Sequence, residues 1–546
     1  MQKNEQNVAE FFLNEIANLG VEYIFLVPGA QIVPLFKAIS KTKNLKPIIA
    51  THELGAGFMA TGYARASGKI GVVMSIGGPG ATYMTGAGMT AKGDDVPVIF
   101  VTGNIPKDRH GRGEFQDASA KGTNDSEIFK ATVGNSIVCS HPEEIANVII
   151  KMLKSKVRFK PLHVQIPIDV QIANIDLQMQ KSISDQCRFA NLPIHEAIPD
   201  IHFEKKRKIV FFLGRKVLGI IDNNKLIDFI RKNEIGVVTD MKARGVIAET
   251  YRVSLGYVGF NSDFRALEVL NKDSCFAADQ IFAIGVTEEL IKQYIDPSVD
   301  VIRLTPGALK KWLDTYSSDH IKEQSIEFRK KWLDELLTIV PPKPIPMKFD
   351  NKVSYLEMFE VINETMPDES VYCLDAGQVR RAGSMLLQCH YPRSLIQSDT
   401  LSPMGSGICA SIGVQLALPD KPVVSIFGDG SMRMHGMELA TAVRYNLPIV
   451  FIACDNQSYV SLPQSTAMKE ISDLPEIDWM SFAKSFGMKA SFSDNREDFQ
   501  EQLIKARNRN GPSLLWVTVP GLLDDEFKQT KTLEYKNWLT ELKDKL

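Results

Sequence analysis

A chain of 546 residues with 44% hydrophobic and 23% charged side chains carries enough apolar material for about three cores. That composition excludes a disordered chain, a collagen-like repeat and a disulfide-held mini-protein. Lys and Arg number 63 and Asp and Glu 65, a formal charge of -2, without the basic excess of a dedicated nucleic-acid binder. The seven cysteines (Cys139, Cys187, Cys275, Cys373, Cys389, Cys409, Cys454) are odd in number, scattered and free of any C-x-x-C pair. They point to a reducing compartment and away from a zinc site. The N-terminus is polar, and no apolar run reaches about 18 residues, so a cytoplasmic enzyme without a membrane span is expected.

In chain order, Val21–Val27 reads as a strand ending in Pro28-Gly29, followed by a helix over Ile32–Ser40. Pro47–Ala50 is strand-like and Leu54–Ala66 is a helix of small and apolar residues. The strand Gly71–Ile76 runs into Gly77-Gly78-Pro79-Gly80, a small-residue helix follows, and Pro97–Thr102 is again a strand. A weaker repeat gives strands at Ile209–Leu213, Ile235–Asp240, Gln280–Gly285 and Val299–Leu304, and a third gives Val371–Leu374, Pro422–Phe427, Pro448–Cys454 and Leu514–Val519. Short apolar strands alternating with helices imply parallel sheets covered on both faces. Linkers are expected at 172–206 and in the proline-rich 340–350. The fold class is therefore α/β with three open parallel-sheet domains, 1–180, 195–340 and 350–546.

The stretch PVVSIFGDGSMRMHGMELATAVRYNLPIVFIACDNQSYV, 422–460, carries the most chemistry. Val423–Phe427 and Ile449–Cys454 are buried strands, and helical spacing runs over Met432–Tyr445 between them. A right-handed β-α-β crossover brings Asp429 and Asn456 to one carboxyl edge, where open α/β sheets bind ligands. Gly428 and Gly430 let backbone approach a ligand, and the helix start beside them favours phosphate. One carboxylate, one amide oxygen and one loop carbonyl suit Mg²⁺ completed by phosphate oxygens. Gly-Asp-Gly is also ordinary turn chemistry, so the unit alone leaves both readings open.

With G-D-G followed 27 positions after its Asp by Asn456, the chain resembles the thiamine diphosphate (ThDP)-dependent enzymes. V-P-G-A-Q-I-V-P-L-F (27–36), T-H-E-L-G-A-G-F-M-A-T-G-Y-A-R (51–65) and G-G-P-G-A-T (77–82) resemble the pyrimidine-binding domain. D-A-G-Q (375–378) and L-S-P-M-G-S-G-I-C-A-S-I-G (401–413) resemble the approach to the cofactor in the diphosphate-binding domain. The subgroup resembled is that of acetolactate synthase, benzaldehyde lyase and benzoylformate decarboxylase. The resemblance implies ThDP and Mg²⁺ as cofactors. It makes Glu53 the partner of pyrimidine N1′, a role that needs an apolar setting because burial keeps a carboxyl able to hold its proton. Met404 becomes the residue under the bent cofactor. Asp429, Asn456 and the Ser458 carbonyl are its metal ligands. Gly377, Gln378, Ser402, Gly428, Gly430, Ser431, Tyr459 and Val460 are further cofactor contacts. Gln31 and Gln116 are substrate-side amides able to orient a carbonyl or carboxylate without titrating. Lone His110 reads as a loop residue, and His435 as a packing or surface residue.

Departures narrow the reading. Tyr83 stands where the family carries Asn after G-P-G-A-T, and Gln-Ser-Tyr-Val-Ser after Asn456 is not the acetolactate synthase pattern with its tryptophan. The middle domain reads Gly214-Arg215-Lys216 and I-G-V-T-E-E-L (284–290), so FAD or another second nucleotide has no motif in its favour. The activity implied is decarboxylation of a 2-oxo acid, pyruvate first, with carboligation to a second carbonyl. A simple 2-oxo acid decarboxylase and a lyase cleaving a C–C bond of a hydroxy ketone or diketone stand as alternatives. The resemblance also implies a homodimer or dimer of dimers with active sites at the subunit interface.

Overall fold

The computed structural model describes residues 6–158, 160–175, 206–315, 323–339, 344–459 and 470–521, with isolated positions 178, 181 and 185. Most of 172–206, part of 340–350, Cys187 and Val460 lie outside the described residues. An antiparallel ribbon, β1 (Gln6–Asn7) with β8 (Asn174–Ile175), ties the two ends of the first domain together. Its sheet holds β2 (Tyr23–Leu26), β3 (Lys46–Ile49), β4 (Gly71–Ser75), β5 (Val98–Asn104), β6 (Ser136–Val138) and β7 (Leu162–Pro167), in the order β3-β2-β4-β5-β7-β6. The middle sheet holds β9 (Ile209–Leu213), β10 (Gly236–Asp240), β11 (Ser254–Val258), β12 (Gln280–Ile284) and β13 (Asp300–Leu304), in the order β11-β10-β9-β12-β13. The third holds β14 (Val371–Leu374), β15 (Leu395–Ile396), β16 (Val423–Gly428), β17 (Ile449–Asp455), β18 (Lys489–Ser493) and β19 (Ser513–Thr518), ordered β15-β14-β16-β17-β19-β18. Every pairing within these three sheets is parallel.

Strands β5, β9, β12 and β17 are buried at every residue. That is why they read as continuous apolar runs rather than as alternating ones. The first and third domains also share one core: Phe25, Phe58 and Phe100 belong to the same buried cluster as Phe427, Phe451 and Leu514. The contact is made by helices Glu53–Ser67 and Ser406–Ala417, both built from small residues. A Cβ on Gly62 would lie 2.2 Å from the Ala410 carbonyl oxygen, and one on Gly413 would lie 1.9 Å from that of Met59. Only glycine lets the two backbones meet this closely.

The sequence expectation of one helical stretch over Met432–Tyr445 is corrected. Helix Asp429–His435 starts at the Asp itself, a 3₁₀ turn covers Gly436–Glu438, and helix Leu439–Arg444 completes the crossover. Glycine at 436 weakens the helix, and the Glu438 carboxylate is bound by the Thr51 and His52 N–H groups instead. Strands β6, β7, β11, β15 and β18 were not expected. The first three carry polar or glycine interruptions, β15 has two residues, and β18 (KASFS) is a polar edge strand. Among the described residues no helix is long and apolar enough to cross a membrane.

Candidate active site

In the third sheet β14 starts the fold, β15 lies on one side of it and β16 on the other. The loops after β14 and β16 therefore part, leaving the crevice in which open α/β sheets bind ligands. Asp375-Ala376-Gly377-Gln378 follows β14, and Asp429-Gly430-Ser431 follows β16. Asn456 to Tyr459 follow the neighbouring β17. Gly428 and Gly377 have nothing within 4 Å of a Cβ position, so both border open space, and Gly377 has a φ of +92°. Helix Gln378–Leu386 begins there without a side-chain cap, which leaves its first N–H groups for a ligand. Gly430 is packed against the Tyr459 ring, 2.7 Å from a Cβ position.

Asp429 is 3% exposed, and its Oδ2 has no hydrogen-bond partner. Burial, with Asp455 nearby, pushes its carboxyl up to about 7. A buried, under-partnered carboxylate is stabilised by a cation, so the residues present fit Mg²⁺. Asp455 itself is satisfied by the Gln457 N–H and the Trp516 indole N–H, both at 2.9 Å. The Asn456 Oδ1 accepts from the Ser458 N–H at 3.0 Å and Gln457 is left-handed (φ 55°), which turns the Ser458–Tyr459 backbone back over the site. Among the described residues no three His, Cys, Asp or Glu side chains form a metal cage, so an ion here needs amide, carbonyl and phosphate oxygens as well.

The first sheet repeats the same order and so has its crevice between β2 and β4. Glu53 opens its helix after β3, is half-buried, and accepts from the Ser75 hydroxyl at 3.4 Å. Ala56 and Phe58 beside it are buried and Leu54 is partly so. Gln31 and Gln116 are brought together: the Gln31 amide donates to the Gln116 carbonyl at 2.9 Å and accepts from the Gly77 N–H at 2.8 Å. Both ends of the Gln31 side chain thus hold backbone, and Gln116 takes a left-handed φ of 59°. Strain of this kind in a non-glycine residue collects at functional loops. His110 follows a 3₁₀ turn and its Nε2 bonds the Ile105 carbonyl at 3.0 Å. His435, half-buried against the His52 and Phe58 rings, is pushed down to about 4 by burial and His52. Tyr83 is 54% exposed beside His52.

Three carboxylates at these edges had no role assigned from the sequence, although Asp375 opens D-A-G-Q (375–378) and Glu438 lies within 422–460. Asp375 accepts from the Gly405 and Gly407 N–H groups and the Ser431 hydroxyl at 2.8–2.9 Å, fastening the Met404 loop to the G-D-G helix. Glu438 receives the N–H groups of Thr51 and His52 and the Thr441 hydroxyl, which fixes the chain just before Glu53. Asp94 links all three domains. Buried carboxylates next to glycine-rich loops are the one pattern that could have flagged them. The middle sheet's crevice, between β9 and β12, is different. A Cβ on Gly214 would lie 2.4 Å from the Gly285 carbonyl oxygen, so its loops touch. Arg215 from that loop donates to the Asp94 and Asp95 carbonyls.

The family descriptions "Thiamine pyrophosphate enzyme, N-terminal TPP binding domain" and "Thiamine pyrophosphate enzyme, C-terminal TPP binding domain" match residues 6–123 and 375–517. The acetolactate synthase isozyme 1 large subunit of Escherichia coli (strain K12) is 28% identical, over 94% of this chain and 93% of its own length. A probable acetolactate synthase large subunit of Methanocaldococcus jannaschii is 27% identical, over 94% and 91%. A Rhodococcus jostii RHA1 ThDP-dependent 4-hydroxybenzoylformate decarboxylase shares the fold, with a TM-score of 0.72 and 18% identity over 94% of this chain and 99% of that one. Two matching cofactor domains, each with its residues at the crevice of its own sheet, place this chain in the family of thiamine diphosphate-dependent enzymes.

Proposed function

We propose that the protein decarboxylates a 2-oxo acid, pyruvate first, and joins the remaining fragment to a second carbonyl, as the names of its acetolactate synthase relatives suggest. The observation that carries this reading is the pair of six-stranded sheets of one strand order, in the two domains that match thiamine pyrophosphate binding domains. When bound, ThDP supplies a carbon nucleophile and an electron sink for cleavage beside a carbonyl. Asp429, Asn456 and the Ser458 carbonyl would hold Mg²⁺, and Gly377, Gln378, Gly430 and Ser431 would present N–H groups to the diphosphate. Gly428, Ser402 and Tyr459 would line the approach, Met404 would support the cofactor, and Glu53 would hold the proton at pyrimidine N1′. Gln31 positions Gly77 and Gln116, and Gln116 orients the substrate.

Carboligation is favoured over simple decarboxylation because the substrate-side groups read at Gln31 and Gln116 are amides, which do not titrate. His110 and His52 are engaged in bonds to backbone. The proposed domains are 1–180, 195–340 and 350–546, one around each sheet. Assembly belongs to the same proposal. In one chain His52, beside Glu53, faces His435, the last residue of the helix that Asp429 begins. Glu53 therefore sits at the far end of that helix from Asp429. Exposed Tyr83, Met89, Leu401, Met434 and Met437 surround these segments as apolar surface for a second copy. A homodimer, or a dimer of dimers, would complete each site from two chains and bury that surface.

The test is incubation with pyruvate, ThDP and Mg²⁺, with and without a panel of aldehydes and 2-oxo acids, reading CO₂ and products by mass spectrometry. A 2-hydroxy ketone or acetohydroxy acid is expected. Aldehyde as the sole product moves the protein to the decarboxylases. Cleavage of added hydroxy ketones without CO₂ makes it a lyase.

A further inference from the structure

Asp94 ends the helix Thr85–Gly93 and is fully buried. Its Oδ1 accepts from the Asp399 and Thr400 N–H groups, both at 3.1 Å, and from the Thr400 hydroxyl at 2.8 Å, all in the third domain. Its Oδ2 pairs with Arg65 of the first domain, which also donates to the Gln397 carbonyl. The middle domain reaches it twice, through Lys242 at 4.0 Å and through Arg215 on its peptide carbonyl. Burial alone would raise the Asp94 carboxyl, but Arg65, Lys242 and the Thr400 hydroxyl outweigh it and hold the group at about 2. The contact also requires Gly93, where a Cβ would lie 2.3 Å from the Thr400 hydroxyl oxygen.

The segment held this way leads straight to the cofactor cradle. Ser402 follows with a left-handed φ of 47° and its N–H bonded to the Ser398 hydroxyl at 2.9 Å. Met404 comes next but one, and then the Gly405 N–H is gripped by Asp375 at 2.9 Å. Residues 401–404 are thus a short span fixed at one end by Asp94 and at the other by Asp375. An error in the near anchor is passed to Met404, because only three residues lie between it and Thr400.

We propose that Asp94 is a positioning residue for the cofactor, setting the Asp399–Thr400 anchor from which Ser402 and Met404 reach the site, and joining all three domains at that anchor. The proposal rests on the ThDP reading of Met404 given above. It differs from a mere interdomain ion pair in predicting a local effect on cofactor geometry.

Asp94→Asn keeps the volume and removes the charge. In the full-length, cofactor-free protein, amide hydrogen exchange over 397–404 should quicken by about tenfold while β9 and β16 stay as in the wild type. With ThDP and Mg²⁺ added, ThDP affinity should stay within about threefold, while H/D exchange at the cofactor's C2 falls by about tenfold. Met404→Ala should reproduce the C2 loss without the change over 397–404. Should Asp94→Asn fail to fold, Thr400→Val removes the hydroxyl link alone and should show the same pattern at about threefold. Unchanged exchange over 397–404, a rise spread evenly over all three sheets, or a wild-type C2 rate in the variant overturns the assignment. A wild-type chain that takes up no ThDP overturns the underlying reading, and the cofactor-free exchange data then still judge the anchor by itself.

Discussion

The first and third sheets have one strand order, and each belongs to a domain that matches a thiamine pyrophosphate binding domain. In each, the second strand of the sequence lies beside the first and the third strand lies on its other side, so the crevice opens at the same place. What differs is the side-chain chemistry of the loops. After its third and fourth strands the third sheet offers Asp429, Gly430, Ser431 and Asn456, groups for a metal and phosphates. The first sheet offers Glu53 after its second strand, then the Gln31–Gly77–Gln116 cluster, groups for a proton and a carbonyl. The middle sheet is the control. It too is open and parallel, yet at its crevice the Gly214 and Gly285 backbones meet and Arg215 is bonded to the first domain. The fold decides where a ligand can sit, and the loop residues decide which part of it, if any, does.

The contrast predicts that lesions in the two halves fail differently. Glu53→Gln should lower turnover by about 10³-fold, since an amide does not exchange the proton held at N1′, while ThDP binding changes by less than about threefold. Turnover and cofactor titration of the same preparation check this. A parallel loss of affinity would mean that the first half binds as well as activates. Asp429→Ala should instead raise the ThDP and Mg²⁺ needed for half-maximal activity on the order of 100-fold. Turnover at saturation should fall far less, and unchanged cofactor requirements would remove the G-D-G loop from the metal site.

The two halves were unequally legible. Asp429 and Asn456 lie on one β-α-β unit, so a single local pattern exposes both. Strands β9 and β14 were read to their last residue for a related reason, since neither carries a charged or amide side chain to blur its ends. The first half is spread over four loops, and Glu53 by itself looks like any acid at a helix start. It becomes meaningful only beside Ser75 and the glycines of the next strand's loop. The supporting carboxylates were hidden because their partners are remote in sequence. Asp375 reaches 30 and 32 residues to Gly405 and Gly407, Asp94 reaches 306 to Thr400, and Glu438 reaches 387 to Thr51. A single sequence carries no trace of such pairings.

Asp94 also gives the junction of the domains a pH signature. Its carboxyl is held at about 2, below the ordinary 3.8. A depressed carboxyl stabilises the fold above the unfolded value, and the contribution is lost as pH falls from about 4 through about 2. Wild type should therefore lose about 2 kcal/mol more stability than Asp94→Asn across that window, measured by denaturant unfolding at a series of pH values. Equal acid limbs would show that the Asp94 cluster does not lock the first sheet to the other two.

The smallest effect tests whether the halves that meet belong to different chains. Glu53→Gln and Asp429→Ala chains are each expected to be inactive, the latter at limiting cofactor. If each site takes Glu53 from one chain and Asp429 from the other, a hybrid dimer has one site with both lesions and one with neither. Random reassembly of equal amounts makes half the dimers hybrid, and each has one intact site of two. Activity should therefore recover to about a quarter of wild type at the same chain concentration. Labelled subunits must first show that exchange has occurred. No recovery after exchange, or full activity from a monomer by light scattering, would mean that each chain builds its own site. In that case the exposed Tyr83, Met89, Leu401, Met434 and Met437 would need another explanation. Recovery near a quarter would sharpen the comparison between the sheets: each half-site would then serve a different copy of the cofactor. The contact from Glu438 to the Thr51 and His52 N–H groups would join two active sites within one chain.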